Sequence, residues 1–154
     1  MMEYDTQKAA RVWQRVQEGK QPSPRQGEPL AALILEHMQL SSLYMQMSRQ
    51  RSGQESTVLM GLARQARMQA ACLRGIAVFT GGSNPAFSPT PMSNTASDAL
   101  LRRCYGQELR LLREYENRRE DPEYGPVFER MARREQEHCC TLLELIGSMK
   151  PAGN

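Results

Sequence analysis

Glu135-Gln136-Glu137-His138 restricts what this chain can fold into more than any other stretch. It is a Glu-x-x-His pair inside a long helical pattern, and Glu108 lies upstream on a separate helical stretch. Residues i and i+3 share one face of a helix. A carboxylate and an imidazole placed there can grip one metal ion, and a Glu from a neighbouring helix can supply a third ligand. Four-helix bundles with paired-metal centres use two such sets, all projecting inward. The first half of the chain is therefore where a matching set has to be sought.

At 154 residues the chain is long enough for one four-helix domain with a continuous core. Aromatic residues are few and Met is plentiful, which suits helix packing better than strands. The net charge is only +3, carried almost wholly by Arg residues that alternate with Glu along every segment. That pattern reads as solvated helix faces. A nucleic-acid footprint would need clustering on one face, so no nucleic-acid partner is expected. No apolar run approaches a membrane span and the first residues, Met1 to Asp5, are polar, so a cytoplasmic protein without a membrane partner is expected. Cys72, Cys104, Cys139 and Cys140 form no Cys-x-x-Cys pair, which removes a zinc ribbon or a rubredoxin-type iron knot and leaves reduced thiols as the plain reading.

Residues 5–17 predict a short amphipathic helix, with Ala9, Val12, Trp13 and Val16 on the 3.6-residue period. A Pro- and Gly-rich linker follows, so residues 1–29 read as an N-terminal arm and residues 30–150 as the bundle. The first long helix is expected from Leu30 to Arg51, with Pro29 suited to its first turn. Ser52 with Glu55 reads as a capping box for a second helix that stops at Gly81-Gly82. A third helix is expected from Thr95 to Arg119, a turn at Asp121-Pro122, and a fourth helix opened by Pro126 and ended by Gly147. The connection between the second and third helices contains Pro85, Pro89 and Pro91 and is too long for a tight turn. A crossover of that length makes those two helices parallel and sets two hairpins side by side.

An internal repeat supports this layout. The segment Ala63 to Leu73 aligns with Ala132 to Leu142, and His37 to Tyr44 aligns with Glu108 to Tyr115. Each of the latter pair ends in a Tyr seven residues on. With the halves aligned, the chain resembles the ferritin-like superfamily, and the rubrerythrin-like diiron proteins most closely. Their pattern is a Glu with a Tyr seven residues later on one helix, then Glu-x-x-His on the next, twice over. Glu108, Tyr115, Glu135 and His138 match the second repeat at every position.

The first repeat departs from that pattern. His37 stands at the place of Glu108, with Glu36 one residue off the inward face. Ala66 stands at the place of Glu135, and Gln69 at the place of His138. The resemblance implies a bridging Glu on the second helix, and Ala66 removes it. The implied fold is thus an all-α, ferritin-like four-helix bundle: two hairpins joined by a long crossover, with a short N-terminal helix. The implied centre is degenerate.

The expected ligands are Glu108, Glu135 and His138, with His37 as a further candidate for the metal or as a donor to the carboxylates. One Fe or Mn ion suits such a set, and Zn is compatible with it. The competing reading is an empty polar cluster, in which a protonated His37 between two carboxylates replaces a cation. Two functional expectations follow: a metal protein that handles peroxide or ferrous iron as rubrerythrin-like proteins do, or a non-catalytic descendant that keeps the bundle and works as a homodimer or beside a related ferritin-like chain. Whether the chain is an enzyme stays open at this level. Met38, Met45, Met47, Met60, Met68 and Met131 are expected to fill core gaps. Tyr44 and Tyr115 are expected to pack in the core with their hydroxyls bonded near the site.

Overall fold

Pro29 sets the start of the first helix. Its φ of −58° and ψ of 146° hold it just outside the helical region, and its carbonyl accepts the Ala32 and Leu33 amides at 3.0 and 3.3 Å. The computed structural model describes residues 29–89 and 97–148. Within them are four helices and no strand: α1 (Leu30–Arg49), α2 (Gly53–Thr80), α3 (Ser97–Asn117) and α4 (Gly125–Ser148). The N-terminal helix expected at residues 5–17, with Trp13, lies outside the described residues. No described helix is long and apolar enough to cross a membrane.

The helices pack as two hairpins, α1 on α2 and α3 on α4. The first is fastened near its turn by a reciprocal pair: Ser48 Oγ donates to the Ser56 carbonyl and Ser56 Oγ to the Ser48 carbonyl, both at 2.9 Å. Further along, Ser41 Oγ donates to the Ala63 carbonyl at 2.8 Å. Small side chains at Ser41, Ala63, Ala66 and Ala70 bring these two helices close. The second hairpin turns on Asp121, whose Oδ1 accepts the Glu123 and Tyr124 amides at 2.9 and 2.8 Å.

Side-chain pairs between the hairpins fix helix direction. His37 meets Tyr115 while Tyr44 meets Glu108, so α1 and α3 are antiparallel. Gln69 meets Glu135 while Gln65 meets His138, so α2 and α4 are antiparallel too. Since α1 and α2 are antiparallel, α2 and α3 must be parallel. The two helices on either side of the long connection thus run parallel, as its length predicted. Gly81 starts it at φ 72°, and the Gly81 and Gly82 amides both reach the Ala77 carbonyl. A left-handed C-cap of this kind favours Gly.

Some local expectations need correction. The capping box does not form: Ser52 makes no side-chain cap bond, and Glu55 is drawn back to Arg51 at 2.7 Å. Met47 and Met131 are buried and Met38 and Met45 pack on the core, but Met60 and Met68 face outward. The inward face of α2 runs through Leu59, Leu62, Ala66, Gln69 and Leu73, and Met60 and Met68 fall off it by one residue each. α1 ends at Arg49 rather than Arg51, and α3 ends at Asn117 rather than Arg119; its expected start at Thr95 lies outside the described residues.

Gly125, buried at the start of α4, has no room for a side chain. A Cβ there would lie 2.4 Å from the Arg119 carbonyl oxygen. Backbone on both sides has to move to admit it. Gly125→Ala is expected to cost about 1–3 kcal/mol, read as a lower urea midpoint at unchanged m-value. An unchanged midpoint would contradict this packing.

Candidate metal centre

Each helix contributes one inward stripe, and the stripes meet at the middle of the bundle. α3 brings Glu108 and Tyr115, and α4 brings Glu135 and His138 one turn apart. α1 brings His37 and Tyr44, and α2 brings Ala66 and Gln69. Glu108, Glu135, His138 and His37 are each at most 1% exposed. Two carboxylates so far from water need compensation, because a buried isolated charge is costly.

The compensation present is partial. Tyr44 donates its hydroxyl to Glu108 Oε1 at 2.8 Å. Gln69 donates its amide to Glu135 Oε1 at 2.6 Å. The second oxygen of each carboxylate, Oε2 in both cases, has no hydrogen-bond partner. His138 repeats the pattern. Its Nε2 is bonded to Gln65 Oε1, and its Nδ1 has no partner. An amide oxygen can only accept, so Nε2 carries the proton, and in the neutral ring Nδ1 presents a lone pair.

These three unpartnered atoms face one another. His138 Nδ1 lies 3.6 Å from Glu108 Oε2 and 3.7 Å from Glu135 Oε2. Ligand atoms from all three residues fall within 4.8 Å of one another. The separations are too long for hydrogen bonds. Atoms held about 2.1 Å from one ion, at angles of about 110–120°, stand roughly 3.4–3.6 Å apart. A lone pair aimed between two carboxylate oxygens is unfavourable on its own and favourable around a cation. The donor set fits a metal ion, and its outer contacts are the kind that orient ligands: each first ligand is held from behind by Tyr44, Gln69 or Gln65.

His37 occupies a different position. Its Nε2 shares a 2.5 Å hydrogen bond with the Tyr115 hydroxyl, and its ring stacks on Tyr115 at 5.9 Å between centroids. Nε2 is 4.0 Å from Glu135 Oε1, at the edge of ion-pair range. Burial, and secondarily the charge of His138, pulls the His37 imidazole down to about 3. The ring is therefore neutral near pH 7, which removes the reading of a protonated His37 in place of a cation. Glu36, one residue away, turns to the outside of α1 and pairs with Arg110 of α3.

The two tyrosines sit where the repeat pattern put them, with their partners crossed. Tyr44 serves Glu108 of the other hairpin, and Tyr115 meets His37 of the other hairpin. Burial first, then in part the negative charge of Glu108, raises both phenols well above their usual range, so both keep their protons. Cys104 and Cys139 are also buried beside the centre. Burial and Glu108 push Cys104 to about 12 and Cys139 to about 11, so both are neutral thiols. All four cysteines are free.

Gln65 is the functional residue that sequence reasoning misses. Nothing in its local pattern distinguishes it from Gln69. Only the α2–α4 register shows that it faces His138. No family model, curated protein or solved structure matches the chain.

His37 sets a pH dependence with a definite sign. An exposed His in the unfolded chain takes up its proton near 6.5, whereas the folded-state value is about 3. Over that window the unfolded chain binds more protons, so stability is lost as pH falls below 6.5. Between pH 7.5 and 5.0, metal-free protein is expected to lose about 2 kcal/mol through this group. His37→Phe should remove that part of the slope in urea titrations at the two pH values. Equal losses in both proteins would refute the neutral assignment.

Proposed function

We propose that the chain is a four-helix metal protein of the ferritin-like, rubrerythrin-like kind in which one half-site survives. It binds one divalent ion and does not act as a di-iron oxidase. The convergence of Glu108 Oε2, Glu135 Oε2 and His138 Nδ1, all buried and all without a hydrogen-bond partner, carries this reading. Two carboxylates and one imidazole suit Fe(II) or Mn(II), and Zn(II) is accommodated by the same atoms.

The first half-site supports the mononuclear form. Ala66 offers no ligand atom at the place of Glu135 in the repeat. Gln69, at the place of His138, spends its amide on Glu135 Oε1. A pair of divalent ions would therefore lack a bridging carboxylate and the negative charge that holds two cations together. When bound, a single ion would supply Lewis-acid or one-electron chemistry. The chain's own part is to hold Glu108, Glu135 and His138 around one point, to orient them through Tyr44, Gln69 and Gln65, and to exclude bulk water.

A second reading, turnover of peroxide or ferrous iron, is favoured by one observation. The Tyr44 hydroxyl bonds to a ligand carboxylate and the Tyr115 hydroxyl to His37, so two protonated phenols border the centre. Under this reading the iron-loaded protein consumes peroxide given an external reductant, and Tyr44→Phe slows it.

The deciding experiment is an Fe(II) titration of protein purified without oxygen or chelators. One ion per chain is expected, lost on Glu135→Ala. Saturation at about 100 times Kd should stabilise the fold by about 2.7 kcal/mol, a rise in Tm on the order of 5–10 °C. Two ions per chain would mean that the first half-site also binds. No ion and no shift in Tm would overturn the proposal.

A further inference from the structure

A groove of about 580 Å³ runs between α2 and α4, and its inner end is one residue from the metal centre. On α2 its wall passes through Gly61, Leu62 and Gln65, and on α4 through Leu145, Glu144 and Thr141. On each helix the next inward residue beyond this wall belongs to the site. Gln69 follows Gln65 by one turn, and His138 precedes Thr141 by one turn. Gln65 belongs to both: it lines the groove, and its Oε1 holds His138 Nε2.

The centre itself is sealed, with its ligands at most 1% exposed, so an ion needs a path. The groove walls carry two charged residues, Glu144 and Glu55, the latter paired with Arg51 at 2.7 Å, and no Lys or Arg lines them. Carboxylates along such a cleft raise the local concentration of cations and repel anions. Amide and hydroxyl oxygens from Gln65 and Thr141 can replace water around a hard cation as it moves inward.

We propose that the groove between α2 and α4 is the access route by which a divalent cation reaches the Glu108–Glu135–His138 centre, with Gln65 as its inner gate. The inference rests on the metal-binding reading above and adds to it the path and the charge of what travels along it. Passage requires the Gln65 side chain to swing from His138 and return once the ion is bound. Its return restores the hydrogen bond that keeps Nδ1 free for the metal.

Gly61 supplies a plug that leaves the ligands alone. A Cβ built there meets nothing within 4 Å, so a large side chain can grow into the groove. The experiment follows Co(II) uptake by the full chain in a stopped-flow spectrophotometer, using the visible bands of the bound ion. Gly61→Trp is expected to slow uptake at least tenfold while leaving the final stoichiometry and Kd unchanged. Gly75→Trp, on the same helix and equally open, should take up Co(II) at the wild-type rate. Glu144→Gln, a surface change, should slow uptake severalfold and flatten its dependence on ionic strength. It serves as the test if the plugged variant does not fold. Wild-type rates in Gly61→Trp, or in Glu144→Gln where that variant is used, would overturn the access route while leaving the metal centre standing. No Co(II) uptake by the unmodified chain would instead overturn the centre, and the route with it.

Discussion

Two carboxylates, Glu108 and Glu135, are held in the middle of the bundle with one hydrogen-bond donor each. The rest of the structure is arranged around that shortage of positive charge. Both donors come from the first hairpin, Tyr44 from α1 and Gln69 from α2, and both carboxylates stand on the second, so the site ties the two hairpins together. His138 turns Nε2 to Gln65 and Nδ1 into the gap between the carboxylates. His37, the other imidazole within reach, is kept neutral by burial. Glu108 Oε2 and Glu135 Oε2 are left without a hydrogen-bond donor.

The two halves of the chain share a register and differ in the groups that stand on it. An inward Tyr on the first helix of each pair and a matched register on the second stand in both copies, whereas Ser41, Ala66 and Ala70 of the first correspond to Leu112, Glu135 and Cys139 of the second. The positions that bind metal differ. Where the second copy has Glu135, the first has Ala66, buried and silent. Where the second has His138, the first has Gln69, which turns to the surviving carboxylate. The first hairpin thus contributes the hydrogen bonds that hold Glu108, Glu135 and His138 of the second.

Much of this was legible in the sequence, and the reasons are local. The i, i+3 spacing of Glu135 and His138 fixes a common face whatever the tertiary packing, and Glu108 with Tyr115 marks the facing helix. A Pro-rich connection too long for a turn implied parallel α2 and α3. What could not be read depended on register or rotation between helices. Gln65 gains its role only because α2 lies antiparallel to α4 at one particular offset. Glu36, one residue off the inward face in the sequence, pairs with Arg110 of α3, while His37 faces the centre as that register implied. Met60 and Met68 were placed in the core from composition, whereas one residue of helix rotation puts them outside. The Ser52–Glu55 capping box looked complete in sequence, but Arg51 competes for the same carboxylate.

The central claim is that one ion, and one only, sits between Glu108, Glu135 and His138. Anomalous diffraction from crystals loaded with Co(II) tests it directly. A single peak bounded by Glu108 Oε2, Glu135 Oε2 and His138 Nδ1, with Gln65 still on His138 Nε2, is the predicted result. A second peak between His37 and Gln69 would show a paired centre. A fully occupied crystal with no peak at this position, its carboxylates bonded to other protein groups, would contradict the account.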